Sequence, residues 1–227
     1  MKIKWLGHAS FLIESEGLRI ITDPYLPEEV NLPPIEESTD IVIRSSDTDT
    51  AHGFIDTLPQ GYQLVTATEI VDTGARVGRL EINAVWSQES LIHKEVVRDN
   101  AMYRFQLEGI NVTHMGDIGN PLTESQLAAL EGTDLLFALA GGPPTIELDD
   151  LQTVIDAIRP GVVIPMHFRI PGPKFFMQPV TDLTDRYPAA QVSWLNGSEF
   201  EITKESFPRE FQIIVLEPAL GNPSDPA

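Results

Sequence analysis

Two apolar stretches of the chain end in polar side chains that can do chemistry, and this pattern constrains the fold most. Residues 110–119 (INVTHMGDIG) place alternating apolar residues before a loop that carries His114 and Asp117. Residues 162–172 (VVIPMHFRIPG) form a second apolar run, which ends at His167. Short apolar runs bounded by glycine or proline are typical of buried strands, and a strand delivers its last residues to the edge of a sheet. We therefore expect a sheet whose edge gathers these side chains into one site.

The rest of the chain divides into a strand-rich first half and a second half in which strands alternate with helices. Strand patterns fall at 2–6, 10–14, 18–22, 40–44, 62–67, 75–77, 79–85, 101–107, 135–140, 162–167, 192–195, 200–202 and 211–216. Helix patterns fall at 123–131, 149–158 and 181–186, with loops at 27–38, 45–53 and 87–100 and a helical turn at 54–58. The pattern predicts one α/β domain over 1–217, with two facing sheets and helices outside, and a frayed tail at 218–227.

The composition narrows the classes of function. The formal net charge is −19 and the 15 Lys and Arg residues are scattered, so we expect no binding to nucleic acid. No apolar run approaches the ~20 residues of a membrane span, and the N-terminus lacks the pattern of a signal peptide. The absence of cysteine excludes disulfides and thiolate metal ligands. The expectation is an acidic, cytoplasmic protein that binds neither nucleic acid nor membrane, with homo-oligomerisation left open.

Six blocks of the sequence together resemble one known family. They are WLGHASFLIE at 5–14, TDP at 22–24, HMGDIG at 114–119, LTESQLAAL at 122–130, GGPPTIE at 141–147 and IRPGVVIPMHF at 158–168. In this order and spacing they resemble the metallo-β-lactamase superfamily, within the branch of zinc-dependent hydrolases that includes ascorbate-phosphate lactonases. The resemblance implies an αββα sandwich of two mixed sheets with helices on the outer faces, and a metal site along one edge of both sheets.

The sequence departs from that family at its metal-binding motif. The family pattern after the fourth strand is His-x-His-x-Asp-His, and the matching window 46–51 reads Ser-Asp-Thr-Asp-Thr-Ala. A further family histidine falls, by spacing, at about Glu89. The resemblance carries over only two ligands, Asp117 and His167. Hydroxyl and methyl side chains are poor or useless zinc ligands, so the sequence predicts that the two-metal centre is absent and that no metal cofactor is bound.

A slipped register of the same loop gives a different prediction. Asp49 and His52 lie in the loop and, with Asp117 and His167, offer two carboxylates and two imidazoles for one Zn²⁺ or Mn²⁺ ion. The competing interpretation is that Ser46, Asp47 and Asp49 cap the following turn and that His52 is a surface residue. The spacing within the loop leaves both interpretations open.

Further polar residues are expected to line the pocket. By the resemblance, His8, Asp23 and His114 match residues that lie beside the metals. Arg44 precedes the motif, where its guanidinium either replaces a metal ion as the partner of nearby carboxylates or points to the opposite, exposed face. The side chain of Asp117 is expected to pair with His167 or His114, with or without metal.

Three functions fit these features. The first is a non-catalytic or divergent homologue with a residual pocket for a small anionic or carbonyl-containing ligand. The second is a metal-dependent hydrolase of esters, lactones or phosphoesters with a single-ion site. The third is a metal-free hydrolase that uses Asp117 and His167 as a general base. The sequence leaves open whether the protein is an enzyme, because fold alone does not carry function.

Overall fold

The computed structural model describes residues 1–173 and 176–219. The first nine strands are β1 Lys2–Gly7, β2 Ser10–Ser15, β3 Leu18–Thr22, β4 Ile41–Arg44, β5 Gln63–Thr66, β6 Ala75–Val77, β7 Leu80–Gln88, β8 Asp99–Leu107 and β9 Ile110–His114. The others are β10 Leu135–Leu139, β11 Val162–Met166, β12 Val192–Trp194, β13 Glu199–Glu201 and β14 Gln212–Val215. The helices are α1 Pro27–Val30, α2 Thr50–Gly53, α3 Glu124–Ala129, α4 Leu148–Ile158 and α5 Thr181–Thr184, with 3-10 turns at Ala67–Ile70 and Ala189–Gln191.

The strands form two mixed sheets. One sheet has the order β13-β1-β2-β3-β4-β5, and the other has the order β12-β14-β11-β10-β9-β8-β7-β6. In the first sheet, β1, β2 and β3 are antiparallel, whereas β3, β4 and β5 are parallel. In the second, β7, β8 and β9 are antiparallel, whereas β9, β10 and β11 are parallel. Buried apolar side chains of both sheets belong to one core cluster, and the predicted αββα sandwich is confirmed.

The helices of the second half follow the sequence pattern closely. In α4, Leu151, Val154, Ile155 and Ile158 are all buried, as their i, i+3, i+4 and i+7 spacing predicts. The capping box of α3 is present, because the side chain of Thr123 accepts from the amide of Gln126 and the side chain of Gln126 accepts from the amide of Thr123. These helices cover the second sheet and leave the strand ends free to form the site.

Two stretches predicted as loops are partly ordered structure. The hairpin of β7 and β8 continues into the polar stretch 87–100, where Ser87 pairs in register with Asn100. Both side chains are buried, and Asn100 Nδ2 donates to Ser45 Oγ over 3.1 Å. The hydrogen bonds explain why polar residues continue these strands. The other difference is helical: a turn occurs at α1 within the predicted loop 27–38, and the turn expected at 54–58 lies earlier, at α2.

The parallel strands set the position of the polar strand ends. Because β9, β10 and β11 are neighbours in one direction, the residues after β9 and after β11 meet at the same edge of the sheet. Within the described residues, no helix is both long and apolar enough to cross a membrane. Of the predicted tail, 220–227 lie outside the described residues, while the amide of Ala219 donates to the carbonyl of Trp5 over 2.8 Å.

Candidate metal site

Five connections between strands meet at one edge of the sandwich. They bring together buried side chains from the β1–β2 turn, the end of β3, helix α2, the end of β9 and the end of β11, namely His8, Asp23, Asp49, His52, Asp117 and His167. A small cavity of about 230 Å³ opens on this cluster and is lined by all of these except Asp23, which lies beneath it. The four residues of the predicted single-ion site therefore surround one space.

The backbone is held in an uncommon conformation at three of these positions. His8, Asp23 and His167 have φ values of 53°, 37° and 52°, in the left-handed region that L-residues other than glycine rarely adopt. Such a conformation costs about 1–3 kcal/mol at each residue and persists where the surrounding structure enforces it, often at functional sites. The strained backbone at these residues therefore lowers the stability of the fold and directs the three side chains towards the cluster.

Helix α2 is one turn long and carries His52 into the interior. Asp49 caps it, since its Oδ1 accepts from the amide of Ala51 over 3.0 Å. Gly53 allows the turn to lie against the chain of the preceding loop, because a Cβ here would collide with the carbonyl of Ser46. His52 is only 1% exposed, so the interpretation of His52 as a surface residue is wrong, while the expectation that Asp49 caps this turn is confirmed.

His52 lies at the centre of the cluster. Its Nε2 is 3.0 Å from His8 Nε2 and 3.6 Å from Asp117 Oδ1, while its Nδ1 is 3.4 Å from Asp23 Oδ2. Asp23 is itself fixed by the Ser45 amide and hydroxyl and by the hydroxyl of Tyr103. A carboxylate on Nδ1 orients the ring and leaves Nε2 directed at the other donors, which is a common arrangement behind metal-binding histidines.

The Oδ1 atom of Asp117 faces the histidines. It is buried without a hydrogen-bond partner among the described residues, and it lies 3.6 Å from His52 Nε2 and 3.9 Å from His167 Nε2. The shorter of these contacts is made by His52, which was not expected as the partner of Asp117, while the expected partner His167 lies farther away. The 3.9 Å separation from His167 is too long for a hydrogen bond, so the two are not arranged as a hydrogen-bonded general-base pair.

The donor atoms converge closely enough for one ion. Two overlapping groups, His8 with His52 and His167, and Asp49 with His52 and Asp117, each place their ligand atoms within 4.8 Å of one another. Around a tetrahedral Zn²⁺ ion, ligand atoms at ~2.0–2.1 Å lie about 3.3 Å apart. The separations of 3.0, 3.6 and 3.9 Å are near that value. The prediction that this loop has lost its capacity to bind metal is therefore not supported.

The protonation states of the three histidines differ. Burial disfavours the charged form of His52, but the carboxylates of Asp117 and Asp23 outweigh this effect and raise the pKa of the imidazole to about 9. Burial dominates at His167, where it lowers the pKa to about 4, and at His8, where it lowers the pKa well below the ordinary value. Near neutral pH the metal-free cluster thus contains one charged and two neutral imidazoles.

The loop between β7 and β8 brings two cationic side chains, Lys94 and Arg98, to one side of the cavity. Lys94 Nζ lies 2.9 Å from Asp117 Oδ2 and 3.1 Å from Glu89 Oε2. Arg98 Nη1 lies 3.7 Å from both Asp49 Oδ1 and Glu89 Oε1. Burial and the charge of Asp117 raise the pKa of the Glu89 carboxyl to about 7. Sequence reasoning found Glu89 by spacing but missed Lys94 and Arg98, which lie in a stretch without apolar periodicity.

Besides Asp23, two further residues predicted to line the pocket do not reach it. Arg44 turns away, with Nε donating to Thr66 Oγ1 and Nη1 donating to the carbonyl of Gly53. His114 lies beneath the site, where its Nε2 contacts the carbonyl of Ala9 over 2.9 Å. These two hydrogen bonds hold the Arg44 guanidinium between β5 and helix α2, and Arg44 does not line the cavity. Lys94 and Arg98, rather than Arg44, bring positive charge to the carboxylates.

Comparison with known proteins agrees with the fold. Residues 2–167 match the family model of the β-lactamase superfamily domain. A metal-dependent hydrolase of Carboxydothermus hydrogenoformans is 25% identical over 197 residues, which cover 74% of this chain and 84% of that protein. One from Archaeoglobus fulgidus is 24% identical over 199 residues, with 74% and 83% covered. A solved structure from Thermotoga maritima, described as a Zn-dependent hydrolase of the metallo-β-lactamase superfamily, is 27% identical with a TM-score of 0.74, covering 95% of this chain and 97% of that one.

Proposed function

The chain belongs to the β-lactamase superfamily of metal-dependent hydrolases, and we propose that it hydrolyses its substrate with one divalent metal ion. The residues proposed to hold this ion are His8, His52, Asp117 and His167. The observation that carries the proposal is the convergence of four buried donors from four separate connections, three of whose atom pairs lie 3.0–3.9 Å apart. The proposed substrates are esters, lactones or phosphoesters.

The residues of the site fit an ion in two further respects. Asp117 Oδ1 is a buried carboxylate oxygen without a hydrogen bond among the described residues, and such an atom is costly unless a cation compensates it. The rings of His8 and His52 present Nε2 to Nε2 at 3.0 Å, a separation that one shared cation satisfies. Three imidazoles and one carboxylate suit Zn²⁺ better than the oxygen-preferring Mn²⁺, so Zn²⁺ is the proposed ion.

Asp49 was expected among the ligands and is given a different role here. Its Oδ1 already accepts from the amide of Ala51 and lies 3.7 Å from the guanidinium of Arg98. His8, which comes from the β1–β2 turn, supplies the fourth donor in its place. Asp49 remains beside the cavity, within reach of His52 and Asp117, as a carboxylate that can accept a hydrogen bond from a water molecule.

The proposed division of labour follows from these contacts. A divalent ion, when bound, would act as a Lewis acid that polarises the carbonyl or phosphoryl oxygen of the substrate, and it would activate a water molecule as the nucleophile near neutral pH. Asp23 holds the ring of His52 through Nδ1, so that Nε2 keeps its direction during turnover. Arg98 lines the cavity and is partly exposed, which favours a small substrate with an anionic or carbonyl group.

The proposal is tested by removing and restoring the ion. Purified protein is treated with a chelator, then assayed with and without added Zn²⁺ or Mn²⁺ on 4-nitrophenyl acetate, an aliphatic lactone and bis(4-nitrophenyl) phosphate. We expect activity on at least one substrate only after metal is restored. His52→Ala should lack this activity, and His93→Ala should retain it, because His93 lies outside the cluster and contacts Glu147.

Two results would contradict the proposed function. Zinc-loaded protein that turns over none of the three substrates would argue for a binding protein. Hydrolysis that survives both chelation and the His52→Ala substitution would argue for chemistry without metal. The latter is not expected, since Asp117 and His167 are too far apart to act as a hydrogen-bonded base.

A further inference from the structure

Lys94 extends from the loop between β7 and β8 and places its ammonium between two buried carboxylates. Its Nζ lies 2.9 Å from Asp117 Oδ2 and 3.1 Å from Glu89 Oε2. Asp117 and Glu89 are only 2% and 1% exposed. Two buried carboxylates are unfavourable without a nearby positive charge, and the ammonium of Lys94 supplies that charge within hydrogen-bond distance of both.

Asp117 divides the site into two cation positions. Its Oδ1 faces His52 Nε2 at 3.6 Å and His167 Nε2 at 3.9 Å, on the side where the ion is proposed to bind. Its Oδ2 faces Lys94. The carboxylate of Asp117 thus faces the imidazole nitrogens of His52 and His167 with one oxygen and the ammonium of Lys94 with the other.

The second position, now filled by the ammonium of Lys94, is bordered by carboxylate oxygens of Asp117 and Glu89. Both carboxylate oxygens of Glu89 are buried, and two ion pairs contribute to compensating the charge of this carboxylate. Those ion pairs come from Lys94 and, at 3.7 Å, from Arg98. Asp49 adds a third buried carboxylate, which also lies 3.7 Å from Arg98. Three carboxylates therefore meet two cations, both supplied by one loop.

We propose that Lys94 is a built-in second cation: its ammonium fills a position that would otherwise take a metal ion, and it keeps the site at one ion per chain. This inference rests on the proposed function, because it assumes an ion between Asp117 Oδ1 and the histidines. Without the ammonium, Asp117 Oδ2 and Glu89 Oε2 would lose the cation that lies between them, and carboxylate oxygens are the donors that a hard divalent cation binds.

The experiment counts ions in the full-length chain. Wild-type protein, Lys94→Met and Lys94→Arg are saturated with Zn²⁺, dialysed against metal-free buffer and analysed for metal per chain by mass spectrometry. We expect one ion in the wild type, two in Lys94→Met and one in Lys94→Arg, which keeps the positive charge. The double variant Lys94→Met/Glu89→Gln should return to one ion, since it removes an oxygen donor of the second position.

The outcomes separate this inference from the proposed function. One ion in the wild type and one in Lys94→Met would overturn the inference and leave the proposed function standing. No ion in the wild type would overturn both, and two ions in the wild type would overturn the inference. Near-ultraviolet circular dichroism checks that each variant is folded, and Lys94→Gln, with the same expected count of two, replaces Lys94→Met if that variant is unstable.

Discussion

The Nε2 atoms of His8 and His52 lie 3.0 Å apart inside the sandwich, from a turn and a helix that are 44 residues apart in the chain. The pKa of His52 is raised and that of His8 is lowered, so the charged ring of His52 donates a hydrogen bond to the neutral ring of His8. In the metal-free protein a proton therefore occupies the space between two nitrogens that we propose to share an ion. Proton and metal ion compete for the same pair of atoms.

The first prediction concerns this competition. The pKa of His52 is about 9 in the folded protein, so metal binding at any pH below this value must displace the proton of His52. The apparent affinity for Zn²⁺ should rise about tenfold per pH unit from pH 6.5 to 9 and then level off. Competition titrations with a chromophoric chelator measure the slope. A flat profile over this range would contradict the assignment of His52 as the displaced acid.

The same shift predicts how the stability of the metal-free protein depends on pH. A folded pKa above the unfolded value favours the folded state while His52 is charged. This contribution is complete below about pH 6.5 and is lost as the pH rises through about 9. Urea unfolding of chelated wild type between pH 6 and 9.5 should show the decline, and His52→Gln should show a smaller one. Equal slopes in the two proteins would refute this source of stability.

A third prediction concerns the stabilisation of the fold by the ion. Free Zn²⁺ at about 100 times its Kd should add about 2.7 kcal/mol. For a chain of this size that corresponds to an increase in Tm of roughly 5–11 °C. Thermal unfolding followed by circular dichroism measures the shift, which a chelator should reverse. His52→Ala should show no comparable shift, whereas His93→Ala should behave as wild type; a shift retained in His52→Ala would place the ion elsewhere.

Asp23 is predicted to be a positioning residue for His52. Its Oδ2 lies 3.4 Å from His52 Nδ1, and it does not line the cavity. Asp23→Asn keeps the size of the side chain and removes its charge, so Zn²⁺ affinity should fall about 10–100-fold while one ion still binds at saturation. Asp149→Asn, at an exposed carboxylate, is the matched control. An unchanged Kd in Asp23→Asn would show that the ring of His52 needs no such support.

Arg44 is predicted to contribute to stability and not to the site. Its guanidinium donates to Thr66 and to the carbonyl of Gly53, next to helix α2. Arg44→Met should lower the free energy of unfolding by about 1–2 kcal/mol through loss of these hydrogen bonds. The number of ions bound should stay at one. Loss of the ion from a folded Arg44→Met variant would show that this residue acts on the metal site after all.

The sheets and two of the donors could be predicted from the sequence because they depend on local patterns. Apolar runs that end at glycine or proline predicted β9 and β11, and parallel pairing through β10 then brings Asp117 and His167 to one edge. The apolar stripe of α4 and the capping box of α3 were predicted for the same reason, because the first follows the helical period and the second has a fixed spacing.

The direction of side chains in irregular segments could not be predicted in this way. A one-turn helix capped by Asp49 turns the side chain of His52 towards the interior. The family motif has a fixed spacing, so it does not identify a histidine that lies one position beyond the motif. Lys94 reaches the site from a loop that has no periodicity, because its long side chain spans the gap. Ser87 and Asn100 look like loop residues until their buried hydrogen bonds are known.

The most direct measurement of the central claim is anomalous X-ray diffraction at the zinc edge, on crystals of protein loaded with Zn²⁺. The account predicts one anomalous peak per chain, surrounded by Nε2 of His8, His52 and His167 and by Oδ1 of Asp117. The absence of a peak in this cluster, or a pair of peaks on both sides of Asp117 in the wild-type protein, would contradict it.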